Sequence, residues 1–280
     1  MSQDEKLRIF AEEIRTETLK LFEARGFGHV GGAMSVVEMV AVLYGGAMRI
    51  DPGNPDWPER DMLVMSKGHA GPAVYSALAL RGYFPKDLLL TLNRPGTTLP
   101  SHCDRNKTTG IDMTTGSLGQ GVSTAIGLAL GQKLDKSGAR TFLCIGDGEC
   151  NEGQVWEGLM LAAHKKLDNL VVFCDKNNQQ LDGYVKNVLD TDSLAEKFKA
   201  FGFYTQHIDG HDIAAVREAI ENAKGNVGSP SMIVLETKKG NGCVFAEGQE
   251  FNHHIAFNKE QMDEALAAAQ ARLDQARAAV

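Results

Sequence analysis

The sequence lacks the cysteine spacing of a metal or disulfide framework, because its five cysteines form no CxxC pair and no zinc-type cluster. It also lacks excess positive charge: the formal net charge of -7 argues against nucleic acid or an anionic membrane as the main partner. No apolar run approaches the roughly 20 residues that span a bilayer, and the charged N-terminus has no signal-peptide core. These absences predict a cytoplasmic protein, where free thiols stay reduced.

The composition that is present, 43% hydrophobic and 23% charged, is typical of an ordinary globular protein. Strand-like apolar runs alternate with helical patterns, and no repeat or low-complexity linker divides them. The alternation predicts one doubly wound α/β domain over residues 1–280, with a mainly parallel central sheet and helices on both faces. The predicted helices are residues 3–25, 36–45, 122–134, 193–202, 213–223 and about 259–278, with one more after Gly68-His69 and one after Gly146-Asp147-Gly148. The predicted strands are residues 61–66, 142–145, 170–174, 203–208 and 231–237.

Two apolar runs between residues 141 and 183 each end in oxygen-bearing side chains. The first runs into Gly146-Asp147-Gly148, and the second runs into a segment that contains Asn177. Parallel strands end at one sheet edge, so we expect Asp147 and Asn177 to lie together. Their oxygens suit Mg²⁺ or Ca²⁺ rather than zinc, and the glycines before a helix suit a phosphate. For Gly-Asp-Gly alone, a simple turn with a capping aspartate remains an alternative.

These segments together resemble the thiamine diphosphate signature of transketolases. GDGECNEG is followed thirty positions later by Asn177-Asn178 and LDG, and the segments GHVGGAMS, SKGHAGPAVYS, TTGSLGQG and GNGCVFAEG also agree. The resemblance extends from about Leu7 to Met262. It implies the diphosphate-binding part of a transketolase, present as a separate subunit of a two-chain enzyme.

The resemblance also implies the cofactor thiamine diphosphate and a metal ion, Mg²⁺ with Ca²⁺ as a second option. The metal would be bound by the side chains of Asp147 and Asn177 and by the backbone carbonyl of Gln179. Thiamine diphosphate would supply the difficult chemistry of ketol transfer, and the protein its geometry and electrostatics. The residues implied to bind the cofactor are His69, Gly116, Leu118, Gly146, Asp147, Gly148, Glu152 and Asn177.

Four histidines in glycine-rich or irregular segments match the family's active-site histidines. The resemblance implies that His29 and His254 face the substrate hydroxyls and the developing oxyanion. His69 and His102 would lie near the diphosphate, the cofactor's reactive carbon and the donor's C1 hydroxyl. His253 is the neighbouring alternative to His254, which fits the family's His-Gly-Ala-Pro frame only loosely.

Carboxylates after the Gly-Asp-Gly segment are implied to face the partner subunit. Glu152 matches a residue of a proton relay, and Glu157, on the same predicted helix, matches another interface carboxylate. A solvated helix face is the alternative for Glu157. His164, His207 and His211 are expected to be structural.

The resemblance further implies a partner, because the family's active site lies between two kinds of domain. The pyrimidine-binding domain supplies the glutamate that activates the cofactor and most of the arginines that bind the sugar phosphate. We expect a C-terminal transketolase subunit to provide these groups in an α₂β₂ heterotetramer, and this chain alone to be inactive.

Two departures from the family pattern bear on the substrate. Ser101-His102-Cys103 replaces Gly-His-Pro, and Thr108-Thr109-Gly110 replaces Thr-Pro-Gly. Losing both prolines removes a restriction on φ near the predicted pocket. Either altered donor use or neutral drift would account for the change.

Two other functions stay open from the sequence. The chain could belong to another thiamine diphosphate enzyme, such as a deoxyxylulose-phosphate synthase or the α subunit of a 2-oxo acid dehydrogenase. It could also be a non-catalytic subunit that keeps the cofactor fold. The pattern around His69 and His102, followed by LGQG, favours transketolase over the first, and the retained site residues argue against the second.

Overall fold

A five-stranded parallel sheet forms the centre of the computed structural model, which describes residues 1–280. Its strands in chain order are β1 (Met62–Met65), β2 (Thr141–Gly146), β3 (Leu170–Lys176), β4 (Tyr204–Asp209) and β5 (Ser231–Glu236). Across the sheet the order is β1-β2-β3-β5-β4, and every neighbouring pair is parallel. The predicted doubly wound α/β fold is therefore confirmed.

Helices cover both faces of this sheet. In chain order they are α1 (Gln3–Glu23), α2 (Val30–Met34), α3 (Val37–Val42), α4 (Gly71–Leu80), α5 (Gln120–Leu134), α6 (Gly153–His164), α7 (Val185–Val188), α8 (Leu194–Ala200), α9 (Ile213–Gly225) and α10 (Lys259–Ala278). Short 3₁₀ turns lie at Gly68–Ala70, Lys86–Thr91 and Gly148–Asn151, and a π turn at Leu43–Ala47. None of the helices combines the length and apolar character needed to cross a bilayer.

Alternate strand residues enter two separate hydrophobic clusters, one on each face of the sheet. Phe142 and Phe173 pack in the larger cluster with α1, α3, α4, α9 and α10, whereas Leu143 and Val172 pack in the smaller one with α5, α6 and α8. This follows from the period of two along a strand, which sends successive side chains to opposite faces. β2 and β3 are covered on both faces of the sheet, and for this reason each appears in the sequence as a continuous apolar run.

Several helix boundaries differ from the sequence prediction. The helix expected at residues 36–45 is shorter: α3 ends at Val42 and a π turn follows, in which Gly46 has a φ of 144°. The glycine-rich segment before it, residues 26–35, contains the short helix α2. Ser193 caps α8, because its side chain accepts a hydrogen bond from the amide of Glu196. The C-terminal helix occupies the predicted range.

Close contact at Gly121 sets the start of α5 against the end of β1. A Cβ atom at Gly121 would lie 2.4 Å from Ser66 Oγ and 2.7 Å from the Ser66 Cα. Only glycine lets the helix approach this closely. The contact fixes the position of Ser66 and Lys67, at the start of the loop after β1, relative to α5.

Candidate active site

Polar side chains gather at the carboxyl edge of the sheet, where Lys67, Asp147 and Asn177 follow three neighbouring strands. They line one cavity of about 200 Å³. Because ligands of open α/β sheets bind outside the carboxyl ends of the strands, this cavity is the candidate active site. Nine residues expected from the sequence lie on its wall: His69, His102, Gly116, Leu118, Gly146, Asp147, Gly148, Asn177 and Gln179.

Asp147 is a buried carboxylate, 3% exposed, held by two backbone amides. The amide of Gly148 donates to Oδ1 at 2.8 Å, and the amide of Asn178 donates to Oδ2 at 2.5 Å. Burial, and then the nearby Asp175 carboxylate, raise the pKa of Asp147 to about 7. A bound cation would offset this penalty and keep the carboxylate charged.

The rest of the donor set fits a hard cation and a diphosphate. Asn177 Oδ1 accepts the amide of Gln179 at 3.1 Å and retains a second lone pair. Two buried polar atoms at the cavity wall, Gln179 Oε1 and Gln180 Nε2, have no hydrogen-bond partner. Such orphaned groups are expected where a polar ligand completes the site. At Gly148 a Cβ would lie 2.7 Å from Gln180 Cβ, so this backbone has room only for glycine.

A buried ion pair supports the wall behind Asp147. The Nζ of Lys67, whose residue is 2% exposed, donates to the Oδ2 of the fully buried Asp175. Ser35 Oγ and Asn177 Nδ2 donate to the same oxygen at 2.7 and 2.9 Å, and Thr237 Oγ1 donates to the other. Burial raises the pKa of Asp175, but the Lys67 ammonium outweighs it and holds the pKa below its ordinary value. The pair thereby fixes Asn177 for its role at the cavity.

The predicted histidines lie together. The ring centroid of His29 is 5.7 Å from that of His69, 5.2 Å from His102 and 4.8 Å from His254. His253 also joins the cluster, with its centroid 4.5 Å from that of His69. His253 lines the cavity, whereas His254 is exposed and His29 is half-buried outside the cavity lining. The adjacent pair thus offers one ring to the cavity and one to its rim.

The imidazoles of His29, His69, His102 and His253 are neutral near pH 7. Burial, followed by the neighbouring His102 and His254, lowers the pKa of His29 to about 4. Burial, followed by Lys239, lowers the pKa of His253 to about 3, and burial lowers the pKa of His69 and His102 as well. A neutral imidazole can donate through one nitrogen and accept through the other, which suits proton transfer between sugar hydroxyls.

Glu152 and Glu157 lie outside the cavity. Glu152 occupies the N-cap position of α6 without a capping hydrogen bond from its side chain, and both residues are exposed. Glu149 is the buried carboxylate of this turn: it accepts from the amides of Gly119 and Gly146 at 2.8 and 3.2 Å and from Ser66 Oγ. It fastens the start of α5 to the turn after β2, so its role is structural, and the exposed Glu152 remains available to a partner.

Lys239 is one of the cavity residues that the sequence did not predict. It lies in the glycine-rich loop after β5, is 4% exposed, and donates to the carbonyl of Gln180 at 3.3 Å. Burial, followed by repulsion from Lys67, lowers the pKa of Lys239 to about 8. Two lysines at a cavity with glycine-rich walls indicate an anionic ligand. The further unpredicted wall residues are Lys67, Glu149, Gln180 and Leu181, and His253 lies on the wall as the alternative to His254.

Side-chain hydrogen bonds hold the segment in which the two family prolines are replaced. Asn93 Nδ2 donates to Ser101 Oγ, Thr108 Oγ1 donates to the carbonyl of Thr98, and Cys103 is buried. Gly110, with a φ of 87°, packs where a Cβ would lie 2.7 Å from Leu78. The loop is therefore fixed by polar contacts where prolines would restrict φ.

Comparison with known proteins accounts for this arrangement. The family model for the transketolase thiamine diphosphate binding domain matches residues 7–272. The chain is 51% identical to the 6-deoxy-6-sulfo-D-fructose transketolase subunit of Clostridium sp. (strain MSTE9), over 92% of this chain and 94% of that one. It is 39% identical to an apulose-4-phosphate transketolase subunit of Actinobacillus succinogenes, over 85% of this chain and 86% of that one.

Solved structures agree with the sequence comparison. The transketolase of Campylobacter jejuni superposes with a TM-score of 0.89 at 29% identity, and that of Leishmania mexicana with 0.86 at 30%. Each match covers 99% of this chain but 46% and 45% of the other, so the chain spans a little under half of these transketolases. A family match over nearly the whole chain, together with the cavity at the sheet edge, shows that this chain belongs to the transketolase family, where it corresponds to the thiamine diphosphate binding domain.

Proposed function

We propose that this chain is the diphosphate-binding subunit of a two-chain transketolase, which transfers a two-carbon ketol unit from a ketose to an aldose. The observation that carries the proposal is the meeting of Asp147 and Asn177 with the neutral imidazoles of His69, His102 and His253 in one cavity. Oxygen ligands for a cation and uncharged proton carriers for a sugar are both required by that chemistry.

Thiamine diphosphate would be held here through its diphosphate and a Mg²⁺ ion, with Ca²⁺ as an alternative. Asp147, Asn177 and the backbone carbonyl of Gln179 would supply metal ligands, Lys239 would donate to phosphate oxygens, and Gly148 would let the backbone approach the diphosphate closely. The cofactor would supply a nucleophilic carbon for cleavage of the carbon–carbon bond next to a ketose carbonyl. Gly116 and Leu118, also on the cavity wall, would contact its aminopyrimidine ring.

The histidine cluster would bind the sugar and move its protons. His69 and His102 line the cavity and are placed to hydrogen-bond the hydroxyls next to the reacting carbonyl. His29 contacts both of them and, with His254 at the rim, would orient hydroxyls further along the sugar. Being neutral, the rings of His29, His69 and His102 can accept a hydroxyl proton and return it to the product.

A second polypeptide would complete the site. Relatives of similar length are named as transketolase subunits, whereas the single-chain transketolases are about twice as long. The exposed Glu152 and Glu157 on α6 and the exposed Leu181 beside the cavity, 62% accessible, are suited to an interface. We infer a pyrimidine-binding partner, an α₂β₂ assembly and a cytoplasmic location.

The donor is inferred to be a ketose with an anionic group at its far end. The 51% identical relative is named for a sulfonated fructose and the 39% identical one for a phosphorylated sugar, so we place the sulfonated hexose first. The hydrogen bonds of Ser101 and Thr108, close to the two positions where the family has prolines, support a donor other than xylulose 5-phosphate.

A donor panel tests this function with the assembled enzyme, thiamine diphosphate and Mg²⁺. We expect the C1-labelled two-carbon unit of 6-deoxy-6-sulfofructose to reach an aldose acceptor, at a kcat/KM at least about tenfold above that for xylulose 5-phosphate, a difference of about 1.4 kcal/mol. A strict preference for xylulose 5-phosphate and ribose 5-phosphate would contradict the donor assignment. Turnover of pyruvate without ketol transfer would instead identify a different thiamine diphosphate enzyme.

A further inference from the structure

The loop that carries Lys239 into the cavity is held by hydrogen bonds to residues that do not line the cavity. This lysine loop, residues 238–243, makes backbone contacts with distant parts of the chain. The amide of Gly240 donates to the carbonyl of Gly31 at 3.0 Å, and the carbonyl of Lys239 accepts from Asn252 Nδ2 at 3.1 Å. These contacts hold the middle of the loop.

A histidine holds the start of the lysine loop. The amide of Lys238, the residue directly before Lys239, donates to His211 Nε2 at 2.8 Å. The Nδ1 of the same ring lies 3.1 Å from Glu38 Oε2, and the other oxygen of Glu38 accepts from the fully buried Arg15. His211 therefore joins the loop to a buried ion-pair network.

The contacts of His211 define its tautomer. A backbone amide can only donate, so Nε2 must be the acceptor and the proton of the neutral ring must lie on Nδ1. That tautomer donates to Glu38, so one ring connects α3 to the loop in a single defined orientation. The Nδ2 of Asn241 lies 3.0 Å from the same Nδ1 and 3.4 Å from Glu38 Oε1, so with a proton on Nδ1 the Asn241 amide donates to the Glu38 carboxylate.

Arg15 holds the later part of the lysine loop independently of His211. Its Nη1 donates to the carbonyl of Asn241, and a Cβ at Gly242, which has a φ of 78°, would come within 2.8 Å of its Cδ. The bond from Lys238 to His211 thus supports the segment between β5 and Lys239, which the Arg15 contacts do not reach.

We infer that His211 is a positioning residue that fixes the lysine loop through Lys238 and thereby holds Lys239 in the cavity. His211 lines a separate polar cleft with Glu12, Glu38 and Arg272, and it is not on the wall of the candidate active site. It therefore touches neither cofactor nor substrate. Its consequence for cofactor affinity rests on the proposed function, whereas its effect on the loop does not.

Chemical labelling of the full chain without cofactor tests the inference. The probe is an amine-acylating reagent, with labelling of Lys239 measured by peptide mass spectrometry relative to the similarly buried Lys67. We expect His211→Leu to raise Lys239 labelling about tenfold, because loss of the hydrogen bond from the Lys238 amide permits local opening. His211→Gln, which can still accept from the amide and donate to Glu38, should stay within about twofold of the wild type.

The matched control is His207→Leu, which removes another histidine–glutamate contact, His207 Nε2 to Glu236 at 2.7 Å, but does not touch the loop. It should leave Lys239 labelling unchanged. Equal increases at Lys67 and Lys239 would mean general loosening and would overturn the inference, as would unchanged labelling in His211→Leu or failure of His211→Gln to restore it.

Calorimetric titration with thiamine diphosphate and Mg²⁺ then separates the two proposals. We expect the dissociation constant to rise about tenfold in His211→Leu and to recover in His211→Gln, in step with the labelling. Increased labelling with unchanged affinity would overturn the positioning role at the cavity. Absence of binding by the wild type would contradict the proposed cofactor site, while the labelling result would still decide whether His211 holds Lys239.

Discussion

Replacing Asp147 by asparagine is expected to weaken magnesium-dependent cofactor binding strongly. In the cofactor-free chain, the same substitution should remove a loss of stability that occurs as the pH rises. The carboxylate is the charged member of the inferred donor set. Its loss should weaken binding of thiamine diphosphate with Mg²⁺ by at least about 100-fold, or about 2.8 kcal/mol. Calorimetry at about pH 7.5, above the folded pKa of Asp147, measures this effect. Asp135→Asn, at the exposed end of α5, is the control.

The stability effect has the opposite sign because Asp147 is buried. Its folded pKa of about 7 lies above the ordinary value of 3.8, so the folded chain binds the proton more tightly than the unfolded chain. The stabilisation is complete below about pH 4 and is lost as the pH rises through about 7. Asparagine does not titrate. Between about pH 5 and pH 8 the free energy of unfolding should therefore shift in favour of the variant by about 2–3 kcal/mol.

Urea denaturation of the metal-free proteins at the two pH values measures this shift. The comparison uses the change in the free energy of unfolding between the two pH values. Asparagine cannot accept both hydrogen bonds, from Gly148 and from Asn178, but this cost is the same at both pH values and cancels. An equal pH dependence for the variant and the wild type would show that burial does not raise the pKa of Asp147. Retained cofactor affinity would remove it from the metal site.

Replacing Lys67 by methionine should cost about 3–5 kcal/mol of stability, the usual effect of leaving a buried charge without its partner. Asp175 would keep the donors Ser35, Asn177 and Thr237 but lose its counter-charge. Its folded pKa would then rise above the ordinary value of 3.8. The deficit should shrink as the pH falls, because protonation removes the buried charge.

Two companion variants decide whether charge or packing causes this loss. Lys67→Met combined with Asp175→Asn should recover most of the stability, since no unpaired charge remains. Lys176→Met removes a partly exposed pair, Lys176 to Glu236 at 2.6 Å, and should cost no more than about 1 kcal/mol. A double variant as unstable as the single one would show that the Lys67 side chain acts through packing.

The proximity of Asp147 and Asn177 was predictable because it depends on simple rules. The buried runs before Asp147 and Asn177 identify neighbouring strands, and the parallel topology brings their ends together. The glycines mark the turn. Both residues lie on the cavity wall, as do His69 and His102.

The residues that were missed depend on long-range or three-dimensional detail. Lys67 pairs with Asp175 across 108 positions, and Lys239 reaches the cavity through a loop held by His211. No local pattern carries either contact. His211 was expected to be structural, and in the structure its ring accepts a hydrogen bond from the amide of Lys238. Between His253 and His254, adjacent in sequence, only the backbone direction decides which ring lines the cavity.

We propose that this chain holds the cofactor but needs a second chain for turnover. Reconstitution of the two chains tests this proposal most directly. Ketol transfer would be measured for this chain by itself, for a pyrimidine-domain transketolase partner by itself and for the mixture, each with thiamine diphosphate, Mg²⁺, a ketose donor and an aldose acceptor. We expect transfer only in the mixture, at a rate that saturates as the partner approaches an equimolar amount. Ketol transfer by the pure chain would contradict the account.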